Sequence, residues 1–115
     1  MVTEEKFLNG IAEIILSVFD KPGIGLTKEE VCRDGHFSPK MLTARRLLSM
    51  RSETLMRFLL YLATLLSDRE FRSLCARIYQ YISDVGNIDV ASAYDIIDRH
   101  AGFPLTHNLL THKRL

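Results

Sequence analysis

Ser52-Glu-Thr-Leu-Met-Arg-Phe-Leu-Leu-Tyr-Leu-Ala-Thr-Leu-Leu66 decides how this chain folds. From Phe58 to Leu66 only Thr64 is clearly polar, and a helix that is apolar on every side has to be surrounded. The rest of the chain supplies the surroundings, as segments whose apolar residues recur at helical spacing. The expectation is an all-α protein, a compact bundle of five or six helices around a central apolar helix at about 52–66. Few short helices are available to enclose it, so apolar surface left bare would serve association with a second copy or with another protein.

On the C-terminal side of this helix, Ser67 and Glu70 have capping-box spacing, so a break is expected near Ser67. In the next helix Phe71, Leu74, Cys75, Ile78, Ile82 and Val85 share one side, and Gly86-Asn87 suits a C-cap. Asp89 then caps a helix through about His100, with Val90, Ala93, Tyr94 and Ile97 inward and Gly102 and Pro104 closing it. Residues 104–115 either dock through Leu105, Leu109 and Leu110 or fray as a tail, because two helical turns are marginal alone.

On the N-terminal side, Ser38 followed by Pro39 opens a helix expected to run to about Met50. Before it, Thr27 and Glu30 form a capping box for a short helix through about Arg33, ended by Asp34-Gly35-His36. The first helix, capped by Thr3 and reaching about Phe19, presents Leu8, Ile11, Ile15 and Val18 at helical spacing, with Phe7, Ile14 and Phe19 beside them. Gly10 interrupts that run at about 1 kcal/mol relative to alanine, which points to a close helix contact. Residues 21–25 make the clearest loop.

At 115 residues the chain reads as one helical domain, 1–115, with a single core. Its formal charge of +1 hides a segregation. Residues 1–39 carry four Lys or Arg against seven Asp or Glu, residues 40–77 eight against three, and residues 78–115 three against four. The middle third is basic between mildly acidic flanks, and the simplest use of its charges is pairing of Arg45, Arg46, Arg51 and Arg57 with Glu29, Glu30 or Asp68. The first residues bring carboxylates where a secretory signal needs positive charge. The longest uncharged stretch, residues 58–67, is far short of a bilayer span. A cytoplasmic protein with Cys32 and Cys75 reduced and buried is expected.

For catalysis there is no Gly-rich phosphate loop, no nucleophile elbow and no zinc-protease pair. His107 and His112 are five apart, about 140° around a helix, and a Gly-Phe-Pro break separates both from His100. Cys32 and His36 straddle a glycine turn. Asp95 and Asp98 lie on one helix but have no evident catalytic partner. No catalytic site, cofactor or metal is expected, and the chain is expected not to be an enzyme. The expected function is regulatory protein binding, as a dimer or as an adaptor or inhibitor covering a partner such as a transcription factor. The contact would be made by Leu55, Phe58, Leu59, Tyr61, Leu62 and Leu66 of the central helix, with Arg51 and Arg57 as a charged rim.

One further stretch, Leu26-Thr-Lys-Glu-Glu-Val-Cys-Arg-Asp-Gly-His-Phe-Ser-Pro-Lys-Met-Leu42, resembles the helix-turn-helix of AraC-type and TetR-type regulators. The resemblance covers about twenty residues. It implies a DNA-binding regulator using residues 27–46, with Val31, Cys32, Phe37 and Leu42 as inner contacts. Ser38, Lys40, Thr43 and Arg46 would face DNA, and Arg45 or Arg51 would touch phosphates. Gly35 stands one position ahead of the family's turn glycine, and His36 occupies that glycine's place. The stripe Met41, Ala44, Leu47 and Leu48 also buries a different side of the third helix from Leu42.

Overall fold

The computed structural model describes residues 3–20, 26–85 and 88–106. Among the described residues six α-helices follow one another: α1 Glu4–Leu16, α2 Lys28–Gly35, α3 Ala44–Leu48, α4 Ser52–Leu65, α5 Asp68–Val85 and α6 Val90–Ala101. Short 3-10 turns lie at Ser17–Asp20 and Pro39–Met41, and no strand occurs among the described residues. The radius of gyration, 13.6 Å, matches the ~13 Å of a packed chain of this length. The all-α bundle expected from the apolar periodicity is the fold observed.

Most helix starts are set locally. The side chains of Thr3, Thr27 and Asp89 accept from the backbone N–H of Lys6, Glu30 and Ser92. These bonds satisfy amides that a helix's first turn leaves unpaired. Hydrogen bonds from the Ser92 amide and hydroxyl hold the Asp89 carboxyl below the usual carboxylate range. At the α4–α5 junction the capping box is reciprocal: the Glu70 amide donates to Ser67 Oγ at 3.1 Å and the Ser67 amide donates to Glu70 Oε1 at 2.7 Å. Ser67→Ala leaves the Glu70 amide without its partner, and urea unfolding should show a loss of about 1 kcal/mol with an unchanged m-value.

The region after α2 departs from expectation. A single helix from Pro39 to about Met50 does not form: the 3-10 turn stops at Met41, and Thr43 takes an extended conformation and caps α3 through Arg46 N–H at 3.3 Å. The break explains the two incompatible stripes in the sequence, because Leu42 and Leu47 are both buried but Leu42 caps the 3-10 turn outside any helix while Leu47 lies in α3. The expected Gly86-Asn87 cap, the loop at residues 21–25 and the contacts of Leu109 and Leu110 lie outside the described residues. Leu105 is buried, and Asp98 holds the following residue by accepting from both Thr106 N–H and Oγ1.

The core joins Phe7, Ile11, Ala12 and Ile15 of α1 to Phe58, Leu59 and Leu62 of α4, Phe71, Leu74, Ile78 and Ile82 of α5, and Ala93 and Ile97 of α6. α1 packs against α3 and α5. Gly10 allows the second contact, since a Cβ there would meet the Tyr81 hydroxyl, and Tyr81 stacks on Phe7 with centroids 5.8 Å apart. Two long-range hydrogen bonds tie α6 to the chain before it: Ser52 Oγ donates to Ala101 O at 2.6 Å, and His100 Nε2 meets Leu48 O at 2.8 Å.

α4 is central but not enclosed on every side. Leu55, Phe58, Leu59, Leu62 and Ala63 are buried, whereas Leu60 and Leu65 are each 38% exposed. One side of α4 is covered by the rest of the described chain, and an arc is left open. None of the described helices is long and apolar enough to cross a membrane.

Candidate partner-binding face

The open side of α4 follows from helical geometry. At 100° per residue, Leu60 and Leu65 are separated by about 140° of arc, and Thr64, Arg57 and Tyr61 fall between them in that order. Thr64 and Arg57 are exposed and Tyr61 is half-buried. The result is a narrow strip of two leucine edges and one tyrosine edge crossed by a hydroxyl and a guanidinium. Thr64 Oγ1 donates to Tyr61 O at 2.6 Å, so this hydroxyl already has a partner within the helix.

Of the contact residues proposed from sequence, Leu55, Phe58, Leu59, Leu62 and Leu66 are buried in the chain's own core. Tyr61, Arg57 and Arg51 reach the surface. Leu60 and Leu65, which sequence reasoning did not nominate, form the apolar part of the open strip. A signal for them was present: Glu53, Arg57 and Thr64 fall on one side of the helix and mark where it meets water.

Arg57 does more than line a rim. Its Nη1 donates to Gly35 O at 2.8 Å and its guanidinium lies 4.2 Å from the centroid of the Phe37 ring. The first contact places a cation on a terminal carbonyl of α2, where the helix dipole favours it. The second is a cation–π contact. Phe37 also packs edge-on against Phe58 at 5.3 Å and tilted against Tyr61 at 6.1 Å. The turn after α2 is therefore clamped onto α4 by one ring with three neighbours.

Within residues 27–46, Val31, Cys32, Phe37 and Leu42 are all buried. His36 takes the left-handed conformation at the turn, with φ 60°. Ser38, Lys40, Thr43, Arg45, Arg46 and Arg51 are all exposed. They are spread over a 3-10 turn, an extended linker, a five-residue helix and the residue before α4, not over one recognition helix. The expected pairing of Arg45, Arg46, Arg51 and Arg57 with Glu29 or Glu30 is not found.

Two concave features are lined by other residues than those of the strip. An open cleft of about 890 Å³ is bounded by Glu4, Glu5 and Lys6 on α1, by Arg45 and Ser49, and by His100. Leu8 and Leu48 border both this cleft and an apolar cavity of about 30 Å³ that Ile11, Leu59 and Ile97 also line. The cavity is too small for a ligand.

The remaining groups with chemical potential have structural partners. Asp95 pairs with Arg99 at 3.7 Å, and Asp98 is occupied by Thr106. Burial pushes the Cys32 and Cys75 thiols above their ordinary range, which keeps them protonated and poorly nucleophilic. Among the described residues no three His, Cys, Asp or Glu side chains cluster as metal ligands, and His107 and His112 lie outside those residues. Comparison of the chain with protein-family models, with curated proteins and with solved structures gives no match.

Proposed function

We propose that this chain is a small regulatory module that acts by binding protein, with the open strip of α4 as the centre of the contact. The observation that carries this reading is the exposure of Leu60 and Leu65 on the helix from which the core is built. Covering what remains exposed of two leucines returns about 1 to 2 kcal/mol. A stable interface takes roughly 800 Å² from each partner, so the strip is the anchor of a reversible contact and the residues around it supply the remainder. Tyr61 and Arg57 suit that role, being an aromatic edge and a guanidinium held rigid by its own packing.

Leu60→Glu with Leu65→Glu should keep the helical circular dichroism and cost about 1 to 3 kcal/mol of stability, since both side chains are partly covered by the chain itself. The same pair should abolish capture of partner from lysate, and any self-association in sedimentation that resists salt. A parent protein that stays monomeric at high concentration, binds no apolar dye and captures nothing would sink the reading.

The buried quartet Val31, Cys32, Phe37 and Leu42 supports a second reading, a DNA-binding regulator using residues 27–46. It is the weaker one, because a major groove accepts one continuous helix and residues 38–48 are split in two. Electrophoretic shift titrations at two salt concentrations separate the readings: phosphate contacts give binding that falls steeply as salt rises.

A further inference from the structure

We draw no further inference here: the strongest candidate, the open cleft of about 890 Å³ bounded by the first turn of α1, by Arg45 and Ser49, and by His100 of α6, carries no proposal, because its charged side chains are all exposed and nothing in the structure shows what covers it.

Discussion

Phe37→Ala should lower the stability of this protein by about 3 to 5 kcal/mol, a large share of the 5 to 15 kcal/mol that holds a domain of this size together. Phe37 is buried against Phe58 and Tyr61, and Arg57 lies over its ring. Truncation leaves a cavity among three side chains that cannot all collapse into it. It also removes the surface that positions the guanidinium on Gly35 O. Thermal unfolding should shift down by roughly 12 to 20 °C. A double-mutant cycle with Phe58→Ala should recover a coupling of about 0.5 to 1.5 kcal/mol for the edge-on pair. A loss below about 1 kcal/mol would show that the turn is not clamped to α4 by this ring.

Adjacent residues two and one positions before Phe37 should respond with opposite signs. Gly35→Ala should destabilise by about 1 to 3 kcal/mol, although alanine is the better helix former by about 1 kcal/mol. A Cβ on Gly35 would stand 2.6 Å from Phe37 Cε2 and 2.8 Å from Tyr61 Cε2, so two packed rings would have to retreat. His36→Gly should stabilise by about 1 kcal/mol, because His36 is exposed and holds the left-handed conformation that a side chain disfavours. Chemical denaturation of the two variants decides the matter. If Gly35→Ala were neutral and His36→Gly destabilising, the turn would be built on the glycine after all.

This pair shows where reading the sequence stopped short. A glycine between Asp34 and His36 looks like the residue that makes the turn, and the family resemblance placed the turn one residue later. The later position is the one that turns, and Gly35 is small because Phe37 and Tyr61 approach it closely. The Tyr61 ring is not predictable as a neighbour from local spacing, since it is 26 positions away along the chain.

Helix identity, most caps, the break at Ser67 and the inward stripes of α1, α5 and α6 were legible, because each depends on residues within one or two turns of each other. The split between Pro39 and Leu48 was half legible: the conflicting stripes were visible, but Thr43 as a cap was not. What the sequence could not decide was which side of α4 the chain covers. Leu59 and Leu60 are neighbours of the same type, one buried and one 38% exposed. The amino acids alone required that α4 be largely enclosed, because its apolar content is a local property. Where α1, α2, α5 and α6 stand around it was settled only by their mutual packing, through contacts such as Gly10 on Tyr81 and Ser52 on Ala101 that join residues far apart in the chain.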